Sequence, residues 1–287
     1  MDHNFTGDPL AMSGYWSPQT SAANFCEIDY EVSHYIAEFI NTFSNLAFVW
    51  QAVVTLPPHL RGNGREFKVW NWPVEALSLL LVGLGSAAFH MTLLHETQIV
   101  DESGMYAITG ALDYTLWSYG LSDIGKTALG TLIGGLVSGV VGWNFMGTHD
   151  GKADNAIHLA LFVGLLTALW PRALYLIKKQ SSIRKQAGDF KGRDEVAGKL
   201  MREFRLGVLY FFVGFGLWLF EGQFCYGLRN IRGFTGMPLG WVLELHGWWH
   251  ILTAMGAGRF VWTARELTAS TRSAEGEKQT NGHVVQK

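Results

Sequence analysis

Apolar residues in this chain are gathered into long blocks that recur from one end to the other. A bilayer core about 30 Å thick takes roughly 20 mostly apolar residues per helix. Seven blocks approach that length, at residues 32–56, 70–94, 99–121, 127–147, 155–177, 204–224 and 240–263. With 48% hydrophobic and 16% charged residues among 287, the chain lacks the polar surface of a water-soluble globule of its size. The expectation is an all-α integral membrane bundle of seven transmembrane helices. The second, fourth, sixth and seventh blocks are clear, while polar residues blur the limits of the first and third by a turn or more.

The net charge of −2 says little, but the placement of cations is informative. Residues 1–31 hold no Lys or Arg, whereas Lys178, Lys179, Arg184, Lys185, Lys191, Arg193, Lys199 and Arg202 crowd one connection and Arg61, Arg65 and Lys68 occupy another. Positively charged connections stay in the cytosol. Seven spans then put a luminal or extracellular segment at 1–31, the helical domain at 32–263 and a polar, disordered cytosolic tail at 264–287. The start of the chain lacks the charged and apolar regions of a cleavable signal, so the first span is expected to serve as anchor. The connection at 178–202 reads as a solvated loop. Glycines 130, 134, 135, 139 and 142 give the fourth helix a small-residue face suited to close approach by another helix.

The two cysteines, Cys26 and Cys225, both fall on the non-cytosolic side, one before the first helix and one just after the sixth. That compartment permits disulfides, and pairing is the expectation. Two buried free thiols, or a share in a zinc site, are the competing readings.

Three histidines carry the chemistry. His246 and His250 stand four apart and project from one face of a helix, a turn apart, as a metal requires. An isolated pair at this spacing is a weak signal, since helical histidines are often only hydrogen-bonded, and the Glu that follows the first His in soluble metalloproteases is absent. Topology strengthens it. The second helix runs outward and ends near Leu94, while the seventh runs inward from about Gly240. At ~1.5 Å per residue, His246 lies on the order of 9 Å into its helix and His90 on the order of 6 Å before the end of its own. Three neutral imidazoles at one depth leave a fourth tetrahedral position for water, the arrangement of a catalytic zinc.

Asp101 opens the third helix at the same face, where a carboxylate can take a proton from activated water or merely cap the helix. Ser86, one turn before His90, can hydrogen-bond to the water or an oxyanion, or simply pack. Grouped polar residues inside a membrane protein point to a functional site. Asn24, Glu27, Asp29 and Glu38 form a second acidic group; their oxygens suit calcium, but without an EF-hand pattern a solvated acidic loop is the simpler reading. With no cations among them, these residues offer nothing to phosphate or nucleic acid.

Gly14-Tyr15-Trp16-Ser17, Phe25-Cys26-Glu27, Tyr35-Ile36-Ala37-Glu38-Phe39, Ser86 with Phe89-His90-Met91-Thr92-Leu93, Asp101-Glu102 and His246-Gly247-Trp248-Trp249-His250-Ile251-Leu252 together resemble the alkaline ceramidases, from residue 14 to about 263. The resemblance implies hydrolysis of the ceramide amide to a sphingoid base and a fatty acid, in endoplasmic reticulum or Golgi membrane. Ceramide would reach the site sideways from the bilayer, and no obligate protein partner is implied. His90, His246 and His250 would ligate zinc, with Asp101 moving the proton and Ser86 supporting it. A calcium site would fall on Asn24, Phe25 through its carbonyl, Glu27, Asp29 and Glu38, and a disulfide on Cys26 and Cys225. Here Asn24 stands where the pattern has Asp, Phe25 where it has Trp, and Asp29 where it has Asn, so the number of carboxylates is unchanged.

Two other classes compete. A seven-helix lipid receptor of the progestin and adipoQ type would use three similar histidines without turnover. An ion transporter would use Asp113, Arg172, Glu221 and Arg259, although the chain lacks repeated halves and broken-helix pairs.

Overall fold

The computed structural model describes residues 8–57, 60, 69–146, 151–186, 188 and 190–284. Among them there is no β-strand. The helices are α1 (Phe39–Ser44), α2 (Leu46–Val54), α3 (Val74–Thr92), α4 (His95–Trp117), α5 (Asp123–Met146), α6 (Gly151–Gln186), α7 (Phe190–Thr235) and α8 (Leu245–Val284). Asn45 keeps helical backbone between α1 and α2, so the two form one nearly continuous apolar helix. By length and apolar composition α3, α5, most of α6 and most of α7 can each cross a membrane. Among the described residues the chain is thus all-α with four such helices, and α3, one of the four, shares the candidate polar site with α4 and α8.

Several expected limits move, each for a local reason. The first helix starts at Phe39 instead of residue 32, because the N–H groups of Ala37 and Glu38 donate to Met91 and His90 carbonyls and hold that stretch extended against the end of α3. Asp101 lies in the second turn of α4 and does not cap it. A short 3-10 turn, Leu239–Leu243, precedes α8, so His246 is the second residue of its helix and not about 9 Å into it. Glu221 reaches across from α7 to accept the N–H groups of Leu245 and His246, 3.0 and 3.2 Å away, filling the role of a missing cap. α7 continues past Phe224, where its dihedrals depart from helical values, so Cys225 sits within the helix and not after it. The stretch 178–202 is no loop: α6 and α7 extend through most of it, as its Lys, Arg, Gln, Glu and Ala residues favour. The backbone of α8 is helical to Val284, well past residue 263. Arg61, Arg65 and Lys68 lie outside the described residues.

Close helix packing falls on different glycines from those expected. Added Cβ atoms at Gly134, Gly135, Gly139 and Gly142 of α5 would meet nothing within 4 Å, and one at Gly130 would only touch the Tyr114 ring. The backbones that nearly touch are those of α3 and α4, where a Cβ on Gly104 would stand 2.8 Å from Val82 Cα, and of α7 and α8, where one on Gly256 would stand 3.0 Å from the Gly207 carbonyl oxygen. These two seams hold the helices that carry His90, Asp101, His246 and His250. The turn from α3 to α4 is set by Leu93 at φ 51°, an uncommon conformation for a branched residue. It is secured by its own N–H, donated to Phe89, and by its carbonyl, which accepts from Thr20 and Ser21.

The charged groups a transporter would need are mostly satisfied internally. Arg259 pairs with Glu203, Arg172 donates to the Leu116 and Tyr119 carbonyls, and Glu221 is the cap just described. Cys26 and Cys225 are joined in a disulfide. Denatured, unreduced protein is therefore expected to yield no thiol reactive to Ellman's reagent, and two thiols per chain after reduction; two before reduction would exclude the bridge.

Candidate metal centre

His90 in the last turn of α3 meets His246 and His250 in the first turns of α8. The three ring centroids are 4.5 to 5.0 Å apart. One nitrogen from each ring lies within 4.8 Å of the others, and all three side chains are buried. Nδ1 of His90 contacts Glu38 Oε2 at 2.5 Å, and Nδ1 of His250 lies 2.7 Å from the Ser44 hydroxyl. These contacts fix ring orientation and leave the opposite nitrogens toward the cluster. Nε2 of His90 and Nδ1 of His246 are buried without a hydrogen-bond partner among the described residues. Buried imidazole nitrogens are rarely left unpaired, and three converging neutral donors are the set that a divalent metal of zinc type takes. The residues fit such an ion.

Asp101 and Ser86 are brought together because Val100 packs onto Gly85 across the α3–α4 seam. The Ser86 side chain hydrogen-bonds to the Asp101 carboxyl, and Glu102 and His158 lie within electrostatic reach of it. Phe25 covers the centre, its ring 3.8 Å from that of His246 and 5.1 Å from that of His90.

The second acidic group is buried and not a solvated loop. Asn24 donates to Asp29 Oδ2 at 3.0 Å, Phe25 N–H to Glu38 Oε1 at 3.0 Å, and Glu27 accepts from Ile40 and Asn41 N–H at the start of α1. Burial, aided by Glu244 and Glu38, pushes the Glu27 carboxyl well above its ordinary range. Burial and the Glu38 carboxylate push Asp29 up to about 8. Asp29 Oδ1 has no hydrogen-bond partner among the described residues. Such a crowd of carboxyl groups is relieved by a cation, although Glu27 is occupied with capping and the histidines are the one compact ligand cluster among the described residues.

The segment bearing these groups is fastened to α7 by the disulfide and by Arg229 and Arg232. Both arginines donate to the Cys26 carbonyl; Arg229 also pairs with Asp8 and Arg232 with Glu244. In comparison with known proteins, residues 17–284 match the model of the ceramidase family. The chain belongs to the ceramidase family. It is 29% identical over 287 aligned residues to an alkaline ceramidase of Saccharomyces cerevisiae, covering 91% of this chain and 81% of that one. It is 29% identical over 246 residues to alkaline ceramidase 3 of Mus musculus, covering 85% and 82%. A putative alkaline ceramidase of Dictyostelium discoideum is 26% identical over 277 residues, with 89% and 88% covered. A ceramidase is a hydrolase, so the comparisons support turnover and do not favour the receptor reading.

Sequence reasoning missed Ser44, the capping role of Glu221 and the link from Glu38 to His90. Ser44 and His250 are 206 positions apart, so no local spacing pairs them. Sequence spacing places Glu38 in the acidic group, and in the structure its two oxygens face both groups.

Proposed function

We propose that this ceramidase hydrolyses the amide of ceramide to a sphingoid base and a fatty acid within the bilayer, using zinc held by His90, His246 and His250. The observation that carries this reading is the meeting of three buried imidazoles, two of them with a nitrogen unpaired among the described residues, beside a carboxyl–hydroxyl pair. A zinc ion in such a set acidifies water and polarises an amide carbonyl. The chain's own groups do the rest. Glu38 and Ser44 hold the rings of His90 and His250 so that the nitrogens facing the cluster are unprotonated. Asp101 takes a proton from the attacking water and returns it to the departing sphingoid nitrogen. Ser86 orients that carboxyl, and Phe25 shields the centre from bulk water, which strengthens each polar contact inside.

Four helices long and apolar enough, with α1–α2, α4 and α8 completing a bundle, support seven spans with residues 1–31 luminal, 264–287 a cytosolic tail, and the cation-rich end cytosolic. Likeness to the family favours endoplasmic reticulum or Golgi membrane. Asn24, the Phe25 carbonyl, Glu27, Asp29 and Glu38 are proposed to take calcium, relieving their mutual repulsion.

Purified protein in detergent is expected to release free sphingoid base from ceramide, to stop on removal of metal with a chelator, and to resume on adding zinc. The rate should fall as pH drops below about 7, because the attacking water must lose a proton. Turnover unaffected by chelation, or constant from pH 5 to 9, would contradict the metal mechanism.

A further inference from the structure

We propose that His158, anchored by Tyr106 and Glu102, recognises a hydroxyl of the substrate beside the scissile amide; this rests on the hydrolase reading above. Gln98, Glu102 and Tyr106 follow one another at four-residue intervals and share one face of α4. Gln98 donates to Glu102 Oε1 at 2.9 Å. His158 comes from α6, with Nδ1 2.7 Å from the Tyr106 hydroxyl and 3.4 Å from Glu102 Oε2. The ring also stacks on Phe162, with centroids 6.4 Å apart.

Among the described residues, both polar contacts of His158 run through Nδ1. One side of the ring is fixed, and the side chain remains 21% exposed, which leaves Nε2 for an external partner. An interior cluster of three polar side chains that served only to join two helices would gain little over apolar packing. Here the cluster adjoins the proton-transferring carboxyl: Glu102 follows Asp101 in sequence, and Asp101 is within electrostatic reach of His158.

The substrate supplies the complementary group. In ceramide the carbon bearing the amide nitrogen is flanked by two carbons that each carry a hydroxyl. When that nitrogen stands at Asp101 to receive its proton, a hydroxyl lies one carbon–carbon bond further on. An alcohol both donates and accepts, so it pairs with Nε2 whether the proton of His158 resides on Nδ1, facing Glu102, or on Nε2, with the Tyr106 hydroxyl donating to Nδ1. The anchoring fixes ring position without restricting which partner role the ring offers. His158 is therefore a specificity determinant placed by two residues of α4.

The test compares kcat/KM for ceramide with that for analogues of the same acyl chain lacking the C1 or the C3 hydroxyl. Wild-type protein is expected to prefer ceramide over one analogue by about tenfold or more. His158→Phe, which keeps the ring and its packing, should lose about that factor on ceramide and leave the poorer analogue unchanged, so that the preference disappears. His158→Gln, which keeps a donor and an acceptor, should restore part of it. Equal loss on ceramide and both analogues would show a packing role and overturn the proposal. So would a wild-type enzyme indifferent to both hydroxyls, a result that needs no variant to fold. Wild-type protein unable to hydrolyse ceramide at all would instead defeat the hydrolase reading, and this inference with it.

Discussion

Replacing His246 with alanine is expected to reduce ceramide turnover by at least about a thousandfold while leaving the protein folded. His246 gives the clearest test among the three ligands because its Nδ1 makes no hydrogen bond among the described residues. Truncating the ring strands no protein partner, and the structural consequence is a small cavity under Phe25. The chemical consequence is large, since two imidazoles hold zinc far less firmly than three and the geometry that activates water is lost. His90→Ala removes a ligand too, but also leaves the buried Glu38 carboxylate without its His90 partner, so its melting temperature should fall as well. Metal content per chain by elemental analysis, melting temperature and kcat should thus separate the two variants. Near-wild-type turnover by His246→Ala would end the assignment.

The parts of this molecule legible in its sequence are those governed by local regularity. Blocks of apolar residues marked the helices, and the four-residue spacing of His246 and His250 marked a shared helical face. Their depth relative to His90 followed from counting residues along antiparallel helices. What escaped depends on contacts between distant positions. That α1 begins at Phe39 follows from backbone hydrogen bonds to His90 and Met91, some fifty positions away. That α8 begins at Leu245 depends on a carboxylate from α7. The glycines of α5 illustrate the opposite error: a small-residue stripe permits close packing but does not supply a neighbour, and the seams formed instead at Gly104 and Gly256, which stand outside any such stripe. Cations at 178–202 suggested solvation and were compatible with helix all along, because Lys and Arg are good helix formers.

Glu38 is where the two candidate sites meet, and its substitutions should separate them. Its side chain is fully buried. Oε2 accepts from His90 Nδ1 and from Asn41 Nδ2 at 3.1 Å, while Oε1 accepts from Phe25 N–H. Glu38→Ala leaves the His90 and Asn41 donors buried and unpaired, while Phe25 N–H keeps Asn24 Oδ1 at 2.7 Å; it is expected to cost about 3 kcal/mol of stability and 10- to 100-fold in zinc affinity. Glu38→Gln is subtler. Its single oxygen satisfies two donors at the Oε2 position and only one at Oε1, so it should face His90 and Asn41. The amide NH2 then confronts Phe25 N–H, donor against donor, and the carboxylate charge is gone from the acidic group. Zinc should therefore be retained nearly as in the wild type, whereas any rise in melting temperature produced by calcium should disappear. The reverse assignment, with NH2 toward His90, would force that ring to accept at Nδ1 and carry its proton on Nε2, where it could not bind a metal. Zinc content and calcium-dependent melting of the two variants decide between these arrangements. An alanine variant that keeps both responses would show that Glu38 couples neither site.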